Sequence, residues 1–471
     1  MIIPLQIRNC VFFGLAFFCQ SYSSQAQSKP NIIVIVADDM GWADLGCHGA
    51  RKDVMTPFLD SLAMSGVRFT AGYSCAPVCV PSRAGLLTGR YPNRFGMESN
   101  DDGPLPISES TIGDRMQSLG YITGLVGKWH VASGPGNGTD PKTIPANEIL
   151  WGDGVRITDK NLPGKRGFSQ YFCGAMRNYA ASFDLDGNDL KDHPVLINNN
   201  GYRIDVQTKA ALAFIRKNKD HPFFLYLGYF APHVPLEAPK VYASSFKEIT
   251  DSIRLKGLSM IKSVDEGVGR IRLLLQTLGL DRNTLIIFTS DNGAPLKKGM
   301  WDGSLNEPFV GEKGMLTDGG IRLPFIISWP DRIRPGRVFK HPVISLDILP
   351  TAVAAGGGMV DQSWKLDGTD LLPYISGVQQ GAPHSSLFWR FRSQASIRSG
   401  DWKLIFTVPD KYYLFDMRTP EGERKNLAET YPSIRKMLAE QLSRHVSSLV
   451  PSGLPSKTVA DDDVLLNLHL K

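Results

Sequence analysis

Three short stretches of this 471-residue chain combine residue types that can do chemistry together. An apolar run at residues 31–37 leads directly into Asp38-Asp39, and a second at 285–289 leads into Ser290-Asp291-Asn292-Gly293. Adjacent carboxylates on one tip repel each other, so the Asp38-Asp39 pair invites a cation. Asp38, Asp39, Asp291 and the Asn292 carbonyl form an all-oxygen donor set for a hard divalent ion. Calcium tolerates such irregular, carboxylate-rich geometry better than magnesium, which keeps several waters. Asp and Asn are also ordinary helix N-caps, and both uses stand for either cluster alone. The third stretch is Cys79-Val80-Pro81-Ser82-Arg83, followed by Ala84-Gly85-Leu86-Leu87-Thr88-Gly89-Arg90. A cysteine here packs as a small hydrophobe, or reacts as a thiolate helped by Arg83 and a helix start.

Such clusters need rigid carriers. The runs at 31–37, 122–126, 223–230, 285–289 and 325–329 have few polar interruptions, as strands covered on both faces do. Helix-like segments lie between them. Thr56-Pro57 reads as an N-cap with Pro at the first helical position, Leu59, Leu62 and Ala63 give the stripe, and Gly66 stops it. Residues 255–280 have similar spacing. The predicted fold is α/β, a large mixed, mostly parallel sheet flanked by helices, which places ligands beyond the carboxyl ends of strands. From about His384 the texture changes. Residues 396–400, 402–406 and 412–416 alternate as antiparallel strands do, and 431–446 reads as an amphipathic helix. We therefore expect a catalytic domain over 27–380 and a smaller C-terminal subdomain over 381–471.

Composition bounds the rest. With 42% hydrophobic and 21% charged residues the chain is an ordinary globular protein. Its net charge of +6 comes without a Lys/Arg-rich tract, which argues against dedicated nucleic-acid binding and suits an anionic substrate. Residues 1–26 read as a cleaved export signal. Arg8 supplies the positive charge, Val11-Phe12-Phe13-Gly14-Leu15-Ala16-Phe17-Phe18 the short apolar core, and Ser24-Gln25-Ala26 the small residues for cleavage. A membrane span needs roughly 20 apolar residues, and polar sequence comes at once after the core, so no stable membrane anchor is expected. Phe18 stands where a lipidated Cys19 needs a small neighbour. Cys47, Cys75, Cys79 and Cys173 then remain, no disulfide framework and no CxxC zinc pair. Asn137-Gly138-Thr139 is a glycosylation sequon.

The C-x-P-S-R run around Cys79 is also a sulfatase signature. Its four fixed positions arise by chance in roughly three chains per thousand of this length. The chain resembles the type I, formylglycine-dependent sulfatases of the alkaline phosphatase superfamily over nearly all of its mature length. Ala37-Asp38-Asp39-Met40-Gly41 is similar to the family's opening metal motif, and Ser290-Asp291-Asn292-Gly293 to its second. Gly127-Lys128-Trp129-His130 matches G-K-W-H, and Ala231-Pro232-His233-Val234-Pro235 matches the P-H-x-P loop. Lys313-Gly314, then Gly319-Gly320-Ile321-Arg322-Leu323-Pro324, resembles the K-G…E-G-G-I-R-x-P block. Ile397-Arg398-Ser399-Gly400-Asp401-Trp402-Lys403 and Leu414-Phe415-Asp416 resemble the C-terminal subdomain.

The resemblance implies that Cys79 is oxidised by a formylglycine-generating enzyme to an aldehyde, hydrated to a gem-diol. Asp38, Asp39, Asp291 and Asn292 would hold calcium together with one gem-diol oxygen. That hydroxyl would attack sulfur, leaving a sulfated enzyme, and the second would expel sulfate, which a serine could not do. His130 would deprotonate the second hydroxyl, beside Lys128 and Arg83. His233 would protonate the leaving oxygen, with Lys313 on the sulfate oxygens. His48, His193, His221, His341 and His384 read as structural. Two positions depart from the pattern: Thr317-Asp318 replaces an aromatic and Glu, and Ser169 replaces the Asp of a G-F-D segment. Nearby Arg177 and Asn178 are candidate substrate contacts. The expected substrate is a sulfated polysaccharide or oligosaccharide, met in the periplasm or outside the cell, or in a lysosomal-type compartment of a eukaryote. Phosphate or phosphonate monoester hydrolysis on the same scaffold, and glycan binding without turnover if Cys79 is not matured, are the alternatives.

Overall fold

The computed structural model describes residues 29–132, 148–151, 155–158, 161–174, 176–191, 194–419, 421–451, 453–454, 462, 466 and 468–470. The signal-like segment 1–26, the sequon at Asn137 and His193 lie outside the described residues.

A ten-stranded sheet carries the chain. In chain order its strands are β1 (Asn31–Asp38), β2 (Val67–Phe69), β3 (Ile122–Gly127), β4 (Gln170–Cys173) and β5 (Asn178–Ala181). They continue with β6 (Val195–Asn198), β7 (Phe223–Pro232), β8 (Thr284–Ser290), β9 (Phe325–Ser328) and β10 (Arg337–Phe339). The spatial order is β10-β2-β9-β8-β1-β7-β3-β4-β5-β6. The central strands β8, β1, β7 and β3, followed by β4, run parallel. Every residue of β1 is buried, and its side chains alternate between two cores. Ile32, Val34 and Val36 enter one, and Ile33, Ile35 and Ala37 the other, as the two-residue period of a strand requires.

Helices cover both faces. They are α1 (Pro57–Met64), α2 (Cys79–Thr88), α3 (Ile112–Ser118), α4 (Arg203–Asn218), α5 (Ser252–Thr277) and α6 (Ile348–Ala355). The first core takes Ala84 and Leu87 of α2, Met116 of α3 and Val353 of α6. The second takes Leu62 of α1, Phe214 of α4 and Val264 of α5.

Two local expectations change. The run at 325–329 forms a strand, but β9 lies antiparallel to β8. Residues 291–324 cross the carboxyl end of the sheet with only the single turn Asp318–Ile321 of helix among them. The chain therefore re-enters the sheet at the end it left, and no crossover inverts it. Thr56 precedes α1 as expected but caps nothing there. Its hydroxyl accepts Gly46 N and donates to Asp60, while Leu59 N donates at 2.7 Å to Asp265 of α5.

A separate antiparallel sheet comes next, β11 (Ser386–Phe391), β12 (Gln394–Ser399), β13 (Trp402–Thr407) and β14 (Lys411–Asp416), with helix α7 (Pro432–Ser447) on one face. Strand β11 was not legible in the alternation. The other face meets the large unit, where Trp389 packs with Tyr73 and Leu316, and Ile405 with Met315. A buried ionic network crosses this boundary. Lys403 Nζ lies 2.8 Å from Asp318 and 2.7 Å from Glu423. Arg322 also pairs with Asp318 at 2.9 Å, and Asp318 N donates to Glu423 at 2.7 Å. Burial opposes ionisation of Asp318, but Lys403, Arg322 and Arg398 lower its pKa.

Two outcomes are expected. Lys403→Met strips a fully buried acid pair of its ammonium, which costs about 3–5 kcal/mol; urea unfolding should show it, and a loss under about 1 kcal/mol would contradict the network. His384 Nε2 lies 2.8 Å from Asp347. Burial pulls the His384 pKa down, but the Asp347 carboxylate raises it above the ordinary value. The stabilisation is complete below about pH 6.5 and is lost as pH rises through the raised folded-state pKa. Melting curves of the protein and His384→Gln should differ most on the acid side and converge on the alkaline side.

Candidate active site

Four neighbouring parallel strands deliver their carboxyl ends to one place. β1 ends in Asp38, and Asp39 turns away with φ of 67°, a left-handed conformation that Asp tolerates. The pairing with β7 shifts register here, from Val36 opposite Gly228 to Asp38 opposite Pro232, so the extra residues lie on β7. β8 leads into Asp291 and Asn292, and Asp291 Oδ1 accepts Asp39 N at 3.0 Å, tying the two acid clusters together. β3 leads into Lys128 and His130, the latter at φ of 57°. β7 leads through Pro232 to His233. Gly127 permits the close approach of β3 and β7, since a Cβ there would sit 2.0 Å from Gly228 O.

Two further elements close the site. Cys79 is the first residue of α2 and is buried, with Val80 N held at 3.0 Å by Asn100 Oδ1. Ser82 Oγ donates to Asp291 O at 2.5 Å, fixing α2 against the end of β8. Lys313 comes from the loop that crosses the sheet, where Lys313 N donates to Ala294 O and Gly314 N to Pro77 O.

The side chains form a compact charge lattice. Lys128 Nζ reaches both Asp38 oxygens at 2.9 and 2.7 Å, and Lys313 Nζ both Asp39 oxygens at 2.7 Å. Arg83 Nε and Nη2 pair with Asp291 at 2.9 and 2.8 Å, and Nη2 lies 3.5 Å from Asp38. Arg83 Nη1 also meets the Tyr226 hydroxyl at 3.3 Å. Cys79 Sγ sits 3.7 Å from Asp38 and 3.8 Å from Asp39. His233 Nε2 lies 3.8 Å from Asp39, and its Nδ1 donates to Val234 O at 2.7 Å.

These neighbours set the protonation states. Burial opposes ionisation of Asp38, yet Lys128, His233, Arg83 and Lys313 hold its carboxyl well below the usual range. Burial raises Asp291, opposed by Arg83. Lys313 loses solvation but is held well above its ordinary value by Asp39. Burial pushes the Cys79 thiol up, with Asp291 and Asp39 adding to it, so an unmodified Cys79 is a thiol and not a thiolate. Burial, Lys128 and Arg83 hold His130 well below its ordinary value and therefore neutral. Burial also lowers His233, while Asp38 and Asp39 pull it back upward.

The donor set fits a divalent cation. One ligand atom from each of Asp38, Asp39, Cys79 and Asp291 lies within 4.8 Å of the others. Asn292 donates Nδ2 to Asp39 at 2.6 Å, while its Oδ1 is buried without a partner. An orphaned carbonyl beside three carboxylates is what a hard cation requires. Neither acid cluster caps a helix; Gly41 precedes the short turn Trp42–Asp44. The site thus offers a place for the cation, a buried position 79 at a helix N-terminus, three ordered cations and two imidazoles.

Other sequence candidates lie elsewhere. Arg177 and Asn178 are exposed, and Asn178 Oδ1 accepts Asn198 Nδ2 at 2.8 Å across β5 and β6. Ser169 bonds Thr123 through its backbone N and its hydroxyl, at 2.9 and 3.1 Å, joining β3 to β4. His48 stacks on Trp42 and His341 packs edge-on to Phe339. Asn100, Tyr226 and Arg203 were not singled out in the sequence. The first two touch Val80 and Arg83 only through tertiary contacts, whereas Arg203 left a signal, a basic residue opening a helix.

Comparison with known proteins agrees with this geometry. The Sulfatase family model matches residues 30–358, and that of the N-sulphoglucosamine sulphohydrolase C-terminal region matches 309–448. Human (Homo sapiens) steryl-sulfatase is 30% identical over 93% of this chain and 91% of its own length. The uncharacterized sulfatase YdeN of Escherichia coli K12 is 30% identical over 90% and 87%. Among solved structures, Ps i-CgsB in complex with k-i-k-neocarrahexaose superposes with a TM-score of 0.76 at 31% identity, covering 94% of this chain and 97% of that one. With position 79, both acid clusters and the three cations at the ends of its central strands, the chain belongs to the sulfatase family of sulfate-ester hydrolases.

Proposed function

We propose that this protein is an exported sulfatase acting on a sulfated polysaccharide or oligosaccharide, with Cys79 matured to formylglycine and calcium bound by Asp38, Asp39, Asp291 and Asn292. One observation carries the reading. Cys79 heads helix α2 in a C-x-P-S-R run, within 3.8 Å of the Asp38 and Asp39 carboxylates, and its burial holds the unmodified thiol protonated against the pull of Lys128 and Lys313. A hydrated aldehyde at this position supplies one hydroxyl to attack sulfur and a second whose electron pair releases sulfate. A divalent cation held by Asp38, Asp39, Asp291 and Asn292 would lower the pKa of the attacking hydroxyl and screen it from the anionic ester.

The chain's own residues do the rest. Asp38, Asp39 and Asp291 balance Arg83, Lys128 and Lys313 in charge. A divalent ion therefore leaves two positive charges, which match one ionised nucleophile and one monoanionic sulfate ester. Lys128, Lys313 and Arg83 are already in place as charge moves from nucleophile to leaving group, so no reorganisation is needed during the reaction. His130 is neutral and accepts the proton of the second hydroxyl. His233 Nδ1 is committed to Val234 O, so only Nε2 can give a proton to the leaving oxygen, and it does so as imidazolium.

The substrate class is supported by likeness to a protein solved with a neocarrahexaose, at 31% identity. Arg177 and Asn178, exposed at the start of β5, are proposed to contact the glycan. Export rests on residues 1–26, and among the described residues no helix is long and apolar enough to cross a membrane. A formylglycine-generating enzyme is the maturation partner.

The deciding assay measures sulfate and phosphate release from sulfated glycans and from matched monoesters. The protein is coexpressed with a formylglycine-generating enzyme, and aldehyde at residue 79 is verified by peptide mass. Sulfate release from one glycan class is expected, and Cys79→Ala should abolish it while retaining the native melting temperature. Retained release in that variant would sink the mechanism, and phosphate release in place of sulfate would overturn the reaction. Calcium should raise the melting temperature, by linkage to the folded state. Asn292→Ala, which removes a ligand without stranding a charge, should shrink that rise; an unchanged calcium response would exclude Asn292 from the cation site.

A further inference from the structure

Helix α4 opens on a residue in the wrong place for helix stability. Arg203 is its first residue, where the helix dipole disfavours a cation. The side chain is also 1% exposed, and the carboxylate paired with it, Glu237, is 3.7 Å away and itself 33% exposed. A buried guanidinium this weakly paired is costly unless its donors find other acceptors.

Apart from Met260 Sδ of α5 at 4.0 Å, those acceptors belong to the edge of the catalytic site. Arg203 Nη2 donates to His233 O and to Pro235 O, each at 2.7 Å, so one nitrogen grips the backbone on both sides of Val234. Nη1 lies 2.8 Å from Met176 Sδ, in the segment that leads into β5. The guanidinium carbon stands 4.7 Å from the centre of the Phe230 ring. The same ring lies 5.0 Å from the His233 imidazole and 4.9 Å from Lys128 Nζ. Val234 is 40% exposed, so its own side chain gives the loop little anchorage. The loop is held by its backbone carbonyls and by the face of Phe230, and Arg203 engages both.

From this geometry we infer that Arg203 is a positioning residue that fixes the His233 imidazole at the leaving-group side of the site. The inference rests on the reading of His233 as general acid. It explains a cation at a helix start as the peg on which the β7 loop hangs. Arg203 does not touch the reacting atoms; it acts through the carbonyls of residues 233 and 235 and through Phe230. Lysine cannot reproduce the role, because a single ammonium cannot grip two carbonyls and also stack on a ring.

The test compares the mature enzyme with Arg203→Met, Arg203→Lys and His233→Ala. Arg203→Met strands no fully buried charge, since Glu237 is 33% exposed, so a folded protein is expected, with a modest fall in melting temperature from the two carbonyls left without their donor. With aryl sulfates of graded leaving-group acidity, a displaced proton donor matters little for a nitrophenolate and greatly for a poor leaving group. For unsubstituted phenyl sulfate, kcat should fall about 10–100-fold in both Arg203 variants, the scale of an ångström-level misplacement of a catalytic group. For 4-nitrophenyl sulfate it should fall less than about threefold. An equal fall for both esters in the Arg203 variants, when His233→Ala does discriminate them, overturns the proposal. If His233→Ala itself fails to discriminate them, the general-acid reading has failed. The crystal structure of Arg203→Met decides the positioning independently of turnover: the loop at 233–235 should move while the Lys128–Asp38 pair stays, and an unmoved loop overturns the inference.

Discussion

The structure depends on one electrostatic constraint. Asp38, Asp39 and Asp291 are gathered in a buried space only 4.8 Å across with Cys79, and such a gathering is unstable unless each negative charge is answered. Arg83, Lys128 and Lys313 answer them one for one. The same pairing selects the fold around it. Asp38 and Asp291 must arrive on adjacent strands, Lys128 must come from a strand on the same end of the sheet, and Arg83 must project from a helix laid across that end. A run of parallel strands β8-β1-β7-β3, all ending together, meets those demands with short connections at the tips. Two of the four non-glycine residues with positive φ among the described residues, Asp39 and His130, sit where two of these strands release their chemistry. Strain of this kind persists only where the surroundings over-determine it, and here the surroundings are the charge lattice itself.

The third cation ties the second sheet into this arrangement. Lys313 sits on a loop whose backbone is gripped by Gln394 of β12, which accepts Leu316 N and donates to Gly314 O, both at 3.2 Å. A few residues on, Asp318 is anchored to Lys403 of β13. From the far end of the chain, His469 reaches Glu312 at 3.2 Å. The antiparallel sheet is thus part of the machinery that keeps an ammonium group beside Asp39, although none of its residues enters the site.

Much of this was legible in the sequence, for a physical reason. Apolar runs such as 31–37 and 285–289 state their own strand character, and the residues directly after such runs must lie at strand ends, so both acid clusters were placed correctly. Lys128 and Lys313 look like surface lysines in isolation; only the motifs around them marked them, and both are largely buried. The failures involve partners far away in sequence. Thr56 loses its capping role because Asp265, 206 residues beyond Leu59, reaches Leu59 N first. The run at 325–329 reverses direction because of how residues 291–324 travel, which no local pattern records. Strand β11 is dense in aromatics and shows little alternation, so it escaped notice, and the basic residue that opens α4 acquires a role only once the β7 loop is seen folded against it.

The burial of Cys79 has a consequence in time as well as in space. Its thiol is 1% exposed in the finished protein, so any enzyme that alters it must act before the site closes. Closure needs Asp291, which lies 208 residues beyond Arg83 in the chain. At typical synthesis rates that stretch takes about 10–40 s to make, and Lys313, Gln394 and Lys403 are made later still. The chain order therefore grants position 79 an interval in which it is already synthesised and cannot yet be enclosed. Position 79 is encoded near the beginning of the protein, and several of the groups that enclose it, Asp291 and Lys313 among them, are encoded far later in the chain.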